Sequence, residues 1–341
     1  MAGRETGLVQ HLRQSWRLAG APRSVVVAYS GGADSLALLS LLRDLCELKK
    51  VSLLAVHVDH GMRPESAVEA EMVRRNAEEL KVPIVVQRID PFALALHAGV
   101  GPEEAMRRER YAVLAGVAHQ RQAVVAVAHH QRDQAETVLM HLMRGAGLAG
   151  VAGMREVSGL SVPWWGPAPG AEILIWRPLL GVAHDVVRSV AVGTGLSVVE
   201  DPTNRDERFR RNAVRHRVLP VLETVSPGVE ETLARFAELA AIDADELDRQ
   251  ASAALPQLQV GNDLKRDDVL ALTPAIRSRV LRRWLVAGLP VGCEVSANRV
   301  EALVAVSTRS GPVRLVEVAQ GWSVEVSREL LRLVQRDEPH R

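Results

Sequence analysis

The chain has 341 residues, 47% apolar and 24% charged, with a net charge of +1 and only 3% aromatic side chains. That length predicts two domains with cores of Ala, Val and Leu, and the near-neutral balance excludes a basic footprint spread over the whole surface. Two distant cysteines, Cys46 and Cys293, exclude a disulfide framework, while the lack of an apolar leader core or membrane-length run predicts a cytoplasmic protein with no membrane partner.

Taken in chain order, the first half alternates β-branched runs with helical spacing. Ser24–Ser30, Val51–His60, Pro83–Ile89 and Ala123–His130 read as strands buried on both faces. Ser35–Leu48, Pro64–Leu80, Pro102–Ala118 and Arg132–Met143 read as the helices between them. The alternation predicts an α/β fold, with a parallel sheet between helices and a ligand beyond the carboxyl ends of its strands. The Gly/Pro-rich Ser158–Gly170 reads as a surface loop, and Ile173–Ile175 and Leu196–Val199 as short further strands. From Arg208 to about Leu255 the pattern is helical. Ser226-Pro227 and Thr273-Pro274 look like N-caps with a proline at the first helical position, and Ser296 like a cap for Ala297–Val306. From Val313 to Val334 the residues alternate like a small antiparallel meander. These patterns predict a first domain over 1–222, a helical linker over 223–257 and a small α+β C-terminal domain over 258–341.

Ser30-Gly31-Gly32-Ala33-Asp34-Ser35 joins the first strand to a helix. At such a junction backbone N–H groups converge on an anion and the helix dipole favours negative charge. Gly31 and Gly32 permit close approach, and Ser30 and Ser35 add hydroxyl donors. Asp34 would repel phosphate unless Mg²⁺ stood between them. The plainer alternative is an ordinary strand–helix turn capped by Asp34 or Ser35. Gly145–Gly150 spells G-x-G-x-x-G but follows a predicted helix, and no G-x-x-x-x-G-K-[ST] occurs, so neither a dinucleotide site nor a Walker-type loop is expected.

Ser30–Ser35 resembles the PP-loop of the ATP pyrophosphatase superfamily, and further segments narrow the resemblance to the tRNA(Ile)-lysidine synthetase family. They are His57–Arg63, Glu104–Arg107 with Arg110-Tyr111, His129-His130 with Asp133, Glu136 and Thr137, and Arg144–Met154. Arg177–Leu180 and Glu200–Asn204 with Arg211-Asn212 and Arg215 follow in the family's order, covering nearly all of 24–222. Arg132 departs from it, standing where an acid is expected. The resemblance implies an N-terminal PP-loop (adenine nucleotide alpha hydrolase-like) catalytic domain and a C-terminal tRNA-recognition domain. It implies a ligase that adenylates the C2 oxygen of the wobble cytidine in the CAU anticodon of isoleucine tRNA, releases pyrophosphate, and lets free L-lysine displace AMP. ATP and Mg²⁺ are the implied cofactors, and a homodimer is compatible with the resemblance. By it, Ser30, Gly31, Gly32, Ala33, Asp34 and Ser35 hold ATP, with Asp34 also on Mg²⁺.

Within that frame, Arg107 and Arg110 share a helix face, where guanidinium groups can neutralise charge building on the α-phosphate. Pairing with Glu103, Glu104 and Glu109 on a solvated face is the plainer account. Asp133 and Glu136 also lie three apart, in the first turns of a helix, where acids are favoured in any case. Lysine must lose a proton before it attacks, at roughly 4–5 kcal/mol at pH 7. A carboxylate that binds the ammonium and then takes its proton meets that need, so Asp133 and Glu136 are the expected lysine site. As a solvated helix the cationic run Arg205–Arg217 needs no function; as a site for tRNA or ATP phosphates, Arg211 is its first candidate and the expected catalytic group. Arg110, Arg215, Arg277, Arg282 and Arg283 are expected on the tRNA backbone. His57, Asp59 and His60 read as structural rather than as zinc ligands. A thiolating PP-loop enzyme needs paired thiols or an iron–sulfur cluster, which Cys46 and Cys293 do not supply. The Arg clusters disfavour a small-molecule synthetase, and ATP–pyrophosphate exchange would separate an enzyme from an RNA-binding module.

Overall fold

A computed structural model describes residues 2–59, 61, 66–90, 97, 99–162, 172–200, 203, 206–290, 293, 295–309 and 311–336. Expectations that fall on His60, Met62, Arg63, Pro64, the 163–170 part of the Gly/Pro-rich loop, Asp201, Pro202, Asn204, Arg205 and the Glu103 side chain lie outside the described residues. By its internal contacts the chain divides into two units, Met1–Leu239 and Ala240–Arg341.

The first unit is built around β1 (Ser24–Ala28), whose Val25, Val26 and Val27 are fully buried. β-branched side chains are stiff and suit a strand, and burial on both faces marks the interior of a parallel sheet. β2 (Ser52–Asp59) and β4 (Val124–Ala126) flank β1 in parallel, with Val26 opposite both Leu54 and Val125. β3 (Ile84–Arg88) extends the sheet beyond β2, and β6 (Glu172–Trp176) beyond β4. β5 (Val157–Ser161) closes the edge antiparallel to β6, giving the order β3-β2-β1-β4-β6-β5. Helices α1 (Ala2–Leu18), α2 (Ala33–Lys49), α3 (Ser66–Glu79), α4 (Pro102–Arg121), α5 (Gln131–Leu142), α6 (Leu148–Val151) and α7 (His184–Gly193) belong to this unit. Period-two alternation along β1 splits its valines between two cores. Val25 and Val27 meet Trp16 of α1, Leu36 and Leu39 of α2 and Val187 of α7, whereas Val26 meets Tyr111, Leu114 and Ala118 of α4. The chain runs outward from β1 to β3 and then returns across β1 to β4. The carboxyl ends of β1 and β4 therefore frame the topological switch point, where open α/β sheets bind ligands.

Three local expectations change. Ser158–Ser161 is strand rather than loop, because β6 offers it an open edge, with Gly159 opposite Leu174. Leu196–Val199 is not a strand: the Val199 N–H donates to the Gly31 carbonyl at 2.9 Å, so it serves the phosphate loop instead of the sheet. After α8 (Arg210–Ala213), a π-turn at Val214–Val218 and α9 (Leu219–Val225), the long α10 spans Val229–Leu258. Ser226 does not cap it; Gly228 turns the chain with φ +83°, and the Glu223 carboxylate accepts from the N–H groups of Gly228 and Val229 at 2.7 and 3.2 Å. A carboxylate satisfies those orphan donors better than a hydroxyl does.

The second unit is α+β. Its antiparallel sheet runs β7 (Gln259–Val260), β8 (Asp263–Lys265), β11 (Leu330–Gln335), β10 (Trp322–Val326), β9 (Arg314–Ala319). α11 (Arg266–Ala271), α12 (Pro274–Gly288) and α13 (Ala297–Ser307) accompany it, and Val280, Leu281 and Leu285 of α12 share a core with Val318, Val324 and Leu331 of the sheet. Pro274 opens α12, and Ser296 Oγ accepts from the Arg299 N–H at the start of α13. Among the described residues no helix is long and apolar enough to cross a membrane.

Candidate active site

Between β1 and α2 the chain must turn within Tyr29–Gly32. Gly31 makes the turn at φ +89°, and a Cβ there would stand 2.8 Å from Val199 Cγ2 and 2.9 Å from Val73 Cγ2. Gly32 is the α2 N-cap at φ −72°, and the nearest atom a Cβ there would meet is Ser30 Oγ, 3.6 Å away. Conformation therefore demands glycine at 31 and not at 32. Ser35 Oγ donates to the Gly32 carbonyl at 2.9 Å and lies 3.0 Å from Ser30 Oγ. No side chain caps α2, which leaves its first N–H groups for an anion. Beneath the loop, buried Tyr29 accepts from Asn76 Nδ2 at 3.0 Å, and His57 Nδ1 donates to the Tyr29 carbonyl at 2.9 Å. Burial lowers the His57 pKa, so this ring is a neutral strut under the loop.

Beyond β4, the segment Val127–His130 delivers two histidines to the same rim before α5 begins. Asp133 accepts from the His130 N–H at 3.0 Å, the ordinary task of an acid at a helix N-terminus. Glu136, on the same face, has no solvent exposure at all. Neither acid is unpaired. Arg211 donates from Nε to Glu136 at 2.7 Å and from Nη2 to Asp133 at 3.1 Å. Arg215 donates from Nε to Glu136 at 2.5 Å and from Nη2 to both acids, at 3.0 and 3.1 Å. The i, i+4 spacing of Arg211 and Arg215 puts them on one side of the turn that begins with α8, so both reach α5 together. Burial pushes the Asp133 carboxyl up, yet His130, Arg211 and His129 beside it bring it below the ordinary carboxylate range. Arg215, against burial, is raised by Glu136 and Asp133. The result is a neutral quartet of two carboxylates and two guanidiniums.

Asp34 stands in the first turn of α2, with its Oδ2 3.6 Å from His130 Nε2, which is in turn 3.4 Å from Asp133. The phosphate loop and the acid pair of α5 thus meet at the switch point. Arg107 is exposed on α4 with its guanidinium 5.0 Å over the Tyr111 ring, while Glu104 and Glu109 turn to Arg108 and His97 instead. Arg110 is exposed on the same helix. Two groups near Arg107 carry no signal in sequence spacing. Burial lowers the Arg177 pKa, and the charge of Arg107 adds to that. Burial also pushes His129 down to about 4, with Asp133 opposing and Arg177, Arg211 and Arg107 assisting. A neutral imidazole therefore sits among three guanidiniums. Arg132, in place of the expected acid, pairs with Glu230 at 2.7 Å on the wall of a cleft of about 260 Å³.

In the second unit, Arg277 donates to the Leu270 and Leu272 carbonyls at 2.6 and 2.8 Å, capping the end of α11, and Arg279 pairs with Asp248 at 2.9 Å. Arg282 and Arg283 are exposed on α12. Cys46 is buried in the sheet core, where burial pushes its thiol up to about 12.

Residues 7–222 match the PP-loop domain family. Over 321 residues the chain is 37% identical to the tRNA(Ile)-lysidine synthase of Mycobacterium tuberculosis (strain ATCC 25618 / H37Rv), covering 92% of this chain and 91% of that one. The enzyme of the same name from Mycobacterium leprae (strain TN) is 38% identical over 307 residues, 89% of this chain and 87% of its own. That of Streptomyces coelicolor (strain ATCC BAA-471 / A3(2) / M145) is 38% identical over 274 residues, 79% and 73% respectively.

Proposed function

The chain belongs to the PP-loop family of tRNA(Ile)-lysidine synthases, and from that premise we propose that it ligates L-lysine to C2 of the wobble cytidine of isoleucine tRNA with cleavage of ATP. The observation that carries the reading is a juxtaposition. An anion-binding loop and a pair of acids share one rim, with His130 between Asp34 and Asp133 and with Arg211 and Arg215 paired to the acids. ATP offers the anion and lysine the cation that such a rim would hold.

In this account Ser30–Ser35 hold the triphosphate through the uncapped N–H groups of α2. Asp34 has His130 as its ion-pair partner among the described residues and no Lys or Arg, so its carboxylate fits Mg²⁺, which would neutralise the pyrophosphate leaving group. The cytidine O2 attacks the α-phosphorus, a new O–P bond forms, and the bond to pyrophosphate breaks. Arg107, Arg177 and Arg211 supply positive charge where that phosphorus gains negative charge. The lysine amine then attacks C2, and the C2–O bond breaks to release AMP with its electron pair.

Asp133 and Glu136 hold the lysine ammonium in this account, although Arg211 and Arg215 engage both acids in the free protein. A phosphate at the rim draws the guanidiniums off and leaves two buried carboxylates without partners, an arrangement costly until a new cation arrives. The ammonium fills that vacancy, so lysine binds after ATP. Released from its guanidiniums, an acid also regains the basicity needed to take the lysine proton. Arg110, Arg282 and Arg283, all exposed, are the arginines proposed to meet the tRNA backbone.

The two chemical steps separate this account from its rivals. Asp133→Asn and Glu136→Gln should still form adenylated tRNA but transfer lysine slowly, with partial rescue at high pH. Arg107→Ala should block adenylation, with no such rescue. Amide variants that form no adenylated tRNA would move these acids to the ATP site. Thiolation finds no support, since the thiol of Cys46 is buried and held protonated, and Cys293 lies in the other unit.

A further inference from the structure

Asp34 at the start of α2, His130 before α5 and His184 at the start of α7 bring three donor atoms within 4.8 Å of one another. We propose that these three side chains form a site for a transition-metal ion of the Zn²⁺ and Co²⁺ class, filled in the nucleotide-free protein. The three come from separate parts of the chain and converge on the switch point, so no local run explains the cluster.

His130 carries the argument. It is 2% exposed, and its Nδ1 is buried with no hydrogen-bond partner. Its Nε2 faces carboxylate oxygens of Asp34 at 3.6 Å and Asp133 at 3.4 Å. Both distances exceed an N–H···O hydrogen bond, which spans about 2.7–3.2 Å. The Asp34 distance matches the edge of a coordination tetrahedron, since donors about 2.0–2.2 Å from one ion stand roughly 3.3–3.6 Å apart, and the His184 donor, within 4.8 Å of the other two, closes in when the ion binds. The His184 ring lies 4.9 Å from that of His130 and tilted by 53°, so the two imidazoles are not stacked. Arg132 and Arg188 oppose a cation there; the carboxylates of Asp34 and Asp133 offset them.

Donor chemistry selects the ion. Mg²⁺ prefers oxygen ligands and retains its waters, whereas two imidazoles and one carboxylate suit Zn²⁺ or Co²⁺. Three protein ligands also leave a position open for water or a phosphate oxygen. The inference concerns the protein without nucleotide, so it stands or falls separately from the ligase reading.

The test is a titration of metal-stripped, full-length protein with CoCl₂ in the absence of nucleotide, read by visible d–d absorption. The expected result is saturation at one ion per chain, displacement by Zn²⁺, and no displacement by Mg²⁺ in large excess. His184→Ala and His184→Gln, each checked for fold by circular dichroism, should weaken Co²⁺ binding at least about tenfold, the lower bound for even outer-shell changes. A Cys46→Ala/Cys293→Ala variant should keep the absorption bands. Absence of a saturable band, bands that survive both His184 changes, bands lost with the cysteines, or ready displacement by Mg²⁺ would each overturn the site.

Discussion

Glu136 has no exposed surface, yet two guanidiniums answer its charge. Charge pairing of that kind is what permits a carboxylate in the interior, and it explains why the acids of α5 sit beside cations that sequence reasoning assigns to other tasks. His129 shows the complementary solution, burial without charge. Its pKa in the fold is about 4 against 6.5 for the ordinary imidazole, so the unfolded chain takes up the proton first as the pH falls. The corresponding stability is complete above about pH 6.5 and is lost as the pH drops towards 4. His57 and His184, both lowered by burial, act in the same direction. Asp133, held below the ordinary carboxylate range, keeps its contribution across that window and loses it only at lower pH. Thermal unfolding between pH 7.5 and 4.5 should therefore show a falling midpoint, and His129→Gln should flatten part of the slope. An unchanged slope in the variant would contradict a neutral His129.

At the scale of elements, the phosphate loop depends on one glycine more than the other. Gly31→Ala forces a side chain into left-handed backbone, at about 1–2 kcal/mol, and pushes it against Val199 and Val73. Gly32→Ala meets only ordinary contacts. Urea unfolding and ATP binding should both suffer in the first variant and change little in the second; equal effects would refute the packing argument. The loop itself is legible in the sequence because everything that makes it is local: a valine run, two glycines and a helix start. The Asp133–Glu136 spacing is legible for the same reason, but its occupants are not. Arg211 and Arg215 reach α5 from more than 70 residues away, and a sequence records which cations exist without recording which acids they meet. Val199 and Glu223 escape sequence reasoning similarly, since their hydrogen bonds go to a distant loop and to a neighbouring turn that spacing does not reveal. His184 announces itself only by its place beside His130 in the fold.

The whole molecule carries a net charge of only +1, so its attraction for a polyanion depends on where its arginines point. Arg277 and Arg279 are engaged within the second unit, whereas Arg282 and Arg283 face solvent. Replacing Arg282 and Arg283 by Ala should weaken tRNA binding and reduce the slope of log K against log salt by about 1–2, with ATP binding unchanged. An unaltered slope would remove α12 from the tRNA surface. The joining of lysine to a cytidine of isoleucine tRNA by this chain is measured directly in one assay. Purified protein is incubated with isoleucine tRNA bearing a CAU anticodon, ATP and labelled lysine, and the digested nucleosides are then separated. Label is expected in a single modified cytidine, with pyrophosphate released from tRNA and ATP alone and AMP released only when lysine is also present. Label absent from the cytidine fraction while an active relative labels the same tRNA would contradict it.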